Sequence, residues 1–508
     1  MEKAYYVTTP IYYVNSNPHL GHSYATILAD VIARYQRLRG NEVMFLTGTD
    51  EHGQKLEDAA RSQGKEPQDF VDEVVKTFKD AWRKLNISND DFIRTTEPRH
   101  ERVVKWIFQK LHDQNDIYLD RYEGWYCTPC ESFWTETDLL EEHKCPECRR
   151  ETSRVHEKSY FFRMSKYQDA IIKFYEDNPD FIIPEAKRTE VLNRLHQGIQ
   201  DISVSRTTVR WGVPVPFDDS HTIYVWFDAL INYLSAIGFP DTDDKFTRFW
   251  PADVHVIGKD ILWFHGVIWP CMLLALGIPP PQHLCVTGFW LQGEDKMSKS
   301  KGNVTDPVKI SEEFGVDALR YFLMREMSLG QDARFSISGV VSRLNSDLAN
   351  DYGNLLHRTL KQVHKFTGGR IPAADGDSLV HASLVETARD AADQMEDLQF
   401  KGALETVWTF IRSMNKYIDE KKPWELARTD EAAMECVLTT VLEAVRSAAI
   451  ITYPILPNTT RGIFNQLSLP WDEKKLRWDD AIRWGEIQGK ITTKAQPIFP
   501  RVDLNRQD

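Results

Sequence analysis

The chain is predicted to be an α/β protein with a doubly wound parallel sheet, split by a cysteine-bearing insertion and followed by an all-helical region. Three observations predict this. Strand–helix–strand units occur twice, at the N-terminus and again between 254 and 287. The stretch between them carries two Cys-x-x-Cys pairs and loses the strand–helix rhythm, so it reads as an insertion into one sheet. From about residue 337 the apolar spacing is helical up to the tail.

The first unit begins with a buried strand at 4–9, followed by a turn-rich loop through Asn15, Asn17 and Pro18. A helix is predicted over about 22–39, with Ile27, Leu28, Val31, Ile32 and Leu38 on one face and Gly40 as its stop. The next strand, 42–46, leads into Gly48-Thr49-Asp50-Glu51-His52. Such units gather ligands at the carboxyl ends of their strands. His19 and His22, after the first strand, are therefore expected to share a crevice with Asp50, after the second. In the later unit a strand at 254–257, a helix at 261–276 and a strand at 284–287 lead to the loop Lys296-Met297-Ser298-Lys299-Ser300. The expected division is 1–115, first half of the sheet; 116–220, insertion; 221–336, second half; 337–490, helical region; and 491–508, a loosely held polar tail with Pro497 and Pro500.

Length and composition fit this plan. A chain of 508 residues has room for two to four domains with a sizeable core. With 42% hydrophobic and 27% charged residues, neither a disordered nor a fibrous chain is expected. The apolar run 261–278 is broken by His265, Gly266 and Pro270, so no membrane span is predicted. The N-terminus carries neither a signal core nor a transit segment, which makes the cytoplasm the expected compartment. A net charge of −13 argues against bulk affinity for nucleic acid, but local basic patches decide that question.

Cys127, Cys130, Cys145 and Cys148 form two pairs separated by 14 residues. Four thiolates in two such turns suit one tetrahedral structural zinc, with a metal-free or disulfide-bonded state as the alternative. His143 is expected to be a bystander, and Cys271, Cys285 and Cys436 to be core residues. The stretch 354–370 has no acidic residue, and Asn354, Arg358, Lys361 and Lys365 share one helical face opposite Leu356, Leu360 and Val363. That face is a candidate nucleic-acid strip; a solvated basic face is the alternative.

His19-Leu20-Gly21-His22 followed far along the chain by the Lys296-to-Ser300 pentad resembles the paired signature of class I aminoacyl-tRNA synthetases. Four further segments narrow the resemblance to the methionyl-tRNA synthetase family: Pro10-Ile11-Tyr12-Tyr13-Val14-Asn15, Gly48-Thr49-Asp50-Glu51-His52-Gly53, Tyr224-Val225-Trp226-Phe227-Asp228-Ala229 and Lys259-Asp260-Ile261-Leu262-Trp263-Phe264-His265. The resemblance spans essentially the whole chain. It implies a Rossmann-type catalytic domain split by a connective insertion with a zinc knuckle, then an all-α anticodon-binding bundle. The implied activity is formation of methionyl-adenylate from L-methionine and ATP, with Mg²⁺ accompanying ATP. Transfer to the 3′ end of tRNA(Met) follows, serving initiation and elongation.

The resemblance also implies roles. His19 and His22 contact the phosphates at a helix start, where the dipole helps. Gly21 permits close approach of the base, and Lys296 and Lys299 neutralise charge on pyrophosphate, Lys299 foremost. Asp260 binds the ribose hydroxyls, although read alone it serves equally as a helix N-cap. Ile11, Tyr13, Trp226, Ala229, Leu230, Tyr233, Ile261, Phe264 and His265 would line the methionine pocket, with Asp50 pairing with the substrate ammonium. Methionine is apolar and polarisable, and its sulfur favours aromatic edges. Leu230 departs from the proline common in the family. Asn354, Arg358 and Trp424 would read the CAU anticodon. A missing methyl discriminates by only ~1–3 kcal/mol, so homocysteine is expected to be rejected in the synthetic site itself, since the insertion is too short for a separate editing domain. Without an appended dimerisation module like that on longer relatives, a monomer is expected.

Overall fold

The computed structural model describes residues 3–241, 244–292, 295–296 and 305–503. Strands β1 (Ala4–Tyr13), β2 (Glu42–Asp50) and β3 (Asp91–Arg94) precede the insertion. The insertion holds β4 (Ile117–Cys127), β5 (Ser132–Trp134), β6 (Ser153–Phe162), β7 (Ile182–Ile183), β8 (Ile202–Ser203), β9 (Ser205–Arg206), β10 (Pro214–Val215) and β11 (Asp218–Ile223). Then come β12 (Val254–Gly258), β13 (His283–Thr287), β14 (Trp290–Gln292), β15 (Asp295–Lys296) and β16 (Ala333–Arg334).

The central sheet is parallel throughout, in the order β3-β2-β1-β12-β13-β7. Both faces are covered, as a parallel sheet requires. Successive side chains divide between two apolar cores: Tyr5, Val7, Val254, Val256 and Cys285 pack on one side, Tyr6, Ile257, Leu284 and Val286 on the other. The predicted α/β class with a helical C-terminal region is therefore the observed one. β1 extends beyond the expected strand to Tyr13, because it resumes pairing after a register shift between Thr8 and Ile11. Pro10, without an N–H, sits in that gap.

The insertion is less separate than its sequence pattern indicated. Two small antiparallel sheets, β5-β4-β6-β8 and β10-β11-β9, lie outside the central one. However, β7 returns to the central sheet and pairs with Leu284 and Cys285. A two-residue strand leaves no periodic signal, which is why it was not expected.

The helix predicted over 261–276 is resolved into a 3-10 turn, Lys259–Ile261, a π-helical stretch, Phe264–Ile268, and an α-helix, Trp269–Leu276. Pro270 explains the change. Its missing N–H would leave the Gly266 carbonyl without an α-helical partner, and the Tyr175 hydroxyl donates to that carbonyl instead, at 2.8 Å.

After β16 every long element is helical: Asn354–Thr367, Ser378–Glu396, Phe400–Lys421, Glu431–Thr452 and Pro457–Gln466. This bundle shares one apolar core with helix α1 (Leu20–Leu38) and with Val316–Glu326. A buried ion cluster ties them further. Asp30 in α1 accepts from Arg34 at 2.8 Å, Arg320 at 2.6 Å, and the Ser88 N–H and hydroxyl at 2.7 and 2.6 Å. Arg320 also donates to the Pro454 and Ile455 carbonyls, both at 2.9 Å. Among the described residues no helix is long and apolar enough to cross a membrane.

Candidate active site

The carboxyl ends of β1, β2, β12 and β13 lie on one edge of the sheet, and the predicted site residues gather there. His19 is the N-cap of α1, where its Nδ1 accepts from the N–H groups of Gly21 at 3.1 Å and His22 at 3.4 Å. His22 Nδ1 accepts in return from the His19 N–H at 3.4 Å, and the two rings stack at 3.7 Å. An imidazole that accepts at Nδ1 carries its proton on Nε2 when neutral. Two Nε2–H donors are thus set side by side at a helix N-terminus, where an anion is favoured. A Cβ on Gly21 would press to 3.0 Å from the His19 ring, so glycine keeps this capping arrangement open.

The Leu20 N–H donates to Thr305 O at 3.3 Å, tying the segment after the lysine pentad to the start of α1. Lys296 lies in β15, paired with Leu291; its side chain and all of Lys299 lie outside the described residues. Asp260 stands in the turn after β12, whose N-cap is Gly258, so it is not itself the cap. Its carboxylate lies where a Cβ on Gly258 would fall. The neighbouring Lys259 is bound to Asp332 at 2.7 Å, which also accepts from the Phe289 N–H at 2.8 Å.

Tyr13 and Asp50 are register partners at the ends of β1 and β2. Tyr13 packs edge-on against Trp226, whose ring stacks on Phe264 at 3.9 Å. Ile11 and Ile261 pack partly buried against the core that contains Leu230 and Tyr233, and Ala229 is buried beside them in the helix Val225–Leu230. Burial pushes the His265 imidazole down to about 4, so at neutral pH it is uncharged. Its Nδ1 then donates to Ile261 O at 3.0 Å, and Nε2 accepts from the Tyr233 hydroxyl at 2.8 Å. An uncharged, internally satisfied histidine suits the wall of an apolar pocket.

Four buried carboxylates surround this floor, and three are fully engaged. Glu51 is held by Arg94 through two bonds of 2.8 Å, Asp228 by two histidines, and Glu131 by Tyr126 and the Lys55 N–H. Asp50 differs: its Oδ1 is shielded from solvent and has no partner. Burial first, then Asp228, raises its pKa well above the usual carboxylate range, against the opposing hydrogen bond from the His52 N–H. The Tyr13 hydroxyl and the Trp226 ring nitrogen are likewise shielded and unpartnered. Buried polar atoms without protein partners ask for water or a ligand, and an acidic corner beside an aromatic wall fits a cationic group on an apolar chain.

The four paired cysteines come together with their sulfurs within 4.8 Å of one another. Tetrahedral zinc with Zn–S bonds of about 2.3 Å sets sulfurs roughly 3.8 Å apart. Cys127 to Cys148 is 3.5 Å and Cys130 to Cys145 is 4.0 Å, so the residues fit a closed four-thiolate metal site. All four are free thiols, and His143 is outside the cluster, stacked on Trp125 and bonded to Glu136. Glu131 follows the second cysteine and reaches back to the Lys55 N–H at 2.7 Å, connecting this knuckle to the loop after Asp50.

On the helix Asn354–Thr367, Leu355, Leu356, Thr359, Leu360 and Val363 are buried, while Asn354, Lys361 and Lys365 are exposed. Arg358 is half-buried and tied to Asp419 at 2.7 Å and to Asn415. Trp424 is 40% exposed, far above any buried tryptophan of the core, at the start of the helix Pro423–Thr429. It follows Lys422, which adopts φ +45°. An exposed indole is a base-stacking platform in chemical terms.

Sequence reasoning missed His52, His100, Glu131 and Arg206. Arg206 is buried over the Tyr126 ring and bonded to Glu157 at 2.6 Å, with Nη1 unpartnered. Of these, only His52 and Glu131 adjoin a motif residue, and that adjacency was the available signal.

Comparison with known proteins adds to this geometry. Residues 5–157 and 152–360 match the family model described as tRNA synthetases class I (M), and residues 368–497 match the anticodon binding domain of methionyl tRNA ligase. Asn354 and Arg358 thus fall in the first match and Trp424 in the second. The chain is 46% identical to the methionine–tRNA ligase of Caldanaerobacter subterraneus, covering 100% of this chain and 80% of that one. It is 45% identical to that of Thermotoga maritima, over 98% and 80%. It superposes on Mycobacterium tuberculosis methionyl-tRNA synthetase in complex with methionyl-adenylate with a TM-score of 0.94 at 40% identity, over 98% and 100% of the two chains. The apo form of that enzyme gives 0.88 at 36% identity, over 99% of each chain.

Proposed function

The chain belongs to the methionine–tRNA ligase family of class I tRNA synthetases, and on that premise we propose which of its residues carry each step. In the first step a methionine carboxylate oxygen attacks the α-phosphorus of ATP. The bond to the β-phosphate oxygen breaks, leaving methionyl-adenylate and pyrophosphate. In the second the terminal ribose hydroxyl of tRNA(Met) attacks the methionyl carbonyl carbon, releasing AMP and a proton. No covalent bond to the protein forms in this scheme, so its side chains act by positioning and by stabilising charge.

The substrate ammonium pairs with Asp50. Its thioether lies along Ile11, Tyr13, Trp226, Ala229, Leu230, Tyr233, Ile261, Phe264 and His265. The Nε2–H groups of His19 and His22 donate to the ATP phosphates, with Gly21 keeping the approach open. Asp260 accepts from the ribose hydroxyls, and Lys296 and Lys299 meet the charge of departing pyrophosphate. Mg²⁺ bound with ATP would supply further neutralisation of phosphate charge. Cys127, Cys130, Cys145 and Cys148 would hold one structural Zn²⁺. The observation that carries the reading is Asp50 Oδ1, buried and unpartnered beside the Tyr13–Trp226 wall.

Anticodon recognition is assigned to Asn354, Arg358 and Trp424, at a site separate from adenylate formation. Base–aromatic stacking contributes ~1–3 kcal/mol per base, or roughly 10–100-fold. Trp424→Ala is therefore expected to lower kcat/KM for tRNA charging by about that factor while leaving ATP–pyrophosphate exchange intact. Equal loss in both assays would count against two separable sites.

A further inference from the structure

We propose that His52 is a positioning residue for the substrate ammonium: its ring is clamped through Asp228 by His100 and Ser235, so that its backbone N–H holds Asp50 in place for that charge. The proposal rests on the reading of Asp50 given above. His52 stands two residues after Asp50, and its N–H acts on the Asp50 carboxylate, favouring its charged form. The aim of that N–H depends on where the loop 51–53 is fixed.

Besides Arg94 and Thr95, which hold Glu51, three contacts fix the loop. The Trp211 ring N–H donates to Glu51 O at 2.5 Å, and the Gly53 N–H donates to Trp211 O at 3.0 Å. Gly53 turns the chain at φ +102°, a region open to glycine. The third contact is the His52 ring, whose Nδ1 lies 2.7 Å from Asp228 Oδ2. Asp228 Oδ1 is 2.9 Å from His100 Nε2, and His100 Nδ1 is 2.8 Å from the Ser235 hydroxyl. Exposure is 4% for His52, 1% for Asp228, 0% for His100 and 4% for Ser235, so water does not compete for these bonds.

The network also leaves Asp50, rather than Asp228, open to the substrate. Although burial pushes the other way, His52 and His100 hold the Asp228 carboxyl down to about 2. Asp228 thus remains charged with both oxygens engaged, close enough to act on Asp50 electrostatically. Two imidazoles satisfy Asp228, and Asp50 is left as the carboxylate with an oxygen open to a cation. An amide at 228 offers one acceptor oxygen where the carboxylate offers two, so only one of the two imidazoles keeps an acceptor for its N–H.

The test compares three ligands as inhibitors or substrates of ATP–pyrophosphate exchange. They are methionine, methioninol, which keeps the ammonium and lacks the carboxylate, and methylthiobutanoate, which lacks the ammonium. Asp228→Asn is expected to weaken methionine and methioninol by roughly tenfold while changing methylthiobutanoate and the KM for ATP by less than about twofold. Equal weakening of all three ligands, or no weakening of the first two, overturns the proposal. Should Asp228→Asn fail to fold, His100→Gln, which keeps Asp228, must show the same ligand selectivity at smaller amplitude, and its absence there overturns the proposal equally. Asp50→Asn separates the two levels of inference. If it fails to discriminate the ligands by their ammonium, the reading of Asp50 fails; if it discriminates and Asp228→Asn does not, only the role of His52 fails.

Discussion

Asp50→Asn is expected to lower kcat/KM for methionine in ATP–pyrophosphate exchange by about 30–5,000-fold, because truncating one side of a buried charge pair costs ~2–5 kcal/mol. The side chain keeps its size, so the loss reports charge rather than packing. Raising methionine far above its wild-type KM should recover part of the rate, since the ammonium contact is made in the ground state as well. The pH dependence has a definite sign. Asp50 without substrate has its pKa raised by burial and by Asp228, and only the ionised form attracts an ammonium. Methionine affinity is therefore expected to fall as pH drops through the Asp50 titration, and the Asn variant should lose that dependence. A variant that retains full activity, or a wild-type profile that is flat, would contradict the assignment.

Asp30→Asn is expected to cost about 3–5 kcal/mol of stability, the range for breaking a buried ion pair and leaving its partners unmatched. Asp30 is fully buried between Arg34 and Arg320, at 2.8 and 2.6 Å. Burial opposes its ionisation, yet the two guanidiniums hold its carboxyl well below the usual range. A depressed folded-state value means the stabilisation is present above the unfolded carboxylate value of about 3.9 and is lost as pH falls below it. The stability gap between wild type and variant, followed by chemical denaturation, should be widest near neutral pH and shrink in acid. Because Arg320 also grips the Pro454 and Ile455 carbonyls, the variant should loosen the bundle against α1. A gap that grows as pH falls would refute the role given to this cluster.

The distinction between what the sequence made legible and what it hid follows the range of the interactions. His19, Gly21 and His22 follow the loop after β1 and Asp50 ends β2, strands whose β-prone runs are plain, and a parallel sheet brings such positions to one edge. The cysteine cluster is equally local, since turn spacing alone nearly sets the geometry of each pair. The basic face of Asn354–Thr367 followed from helical periodicity. By contrast, the Asp228 network joins residues 128 and 176 positions apart, and neither His100 nor Ser235 belongs to any short motif. The pairing of Arg320 with Asp30, 290 positions away, is invisible for the same reason. β7 escaped notice because two residues carry no period, and the π-helical stretch around His265 because only the three-dimensional partner of Gly266, Tyr175, reveals how Pro270 is accommodated. The roles proposed for Lys296 and Lys299 rest on the family pattern alone, because the Lys296 side chain and all of Lys299 lie outside the described residues.

In the proposed reading one crevice, with Asp50 at its acidic end and Tyr13, Trp226 and Phe264 along its wall, selects methionine for activation by ATP. ATP–pyrophosphate exchange measured with each of the twenty amino acids tests this most directly. Robust exchange with methionine, and only weak exchange with any other amino acid, is the predicted result. Exchange with none of them, or strongest with an amino acid other than methionine, would contradict it.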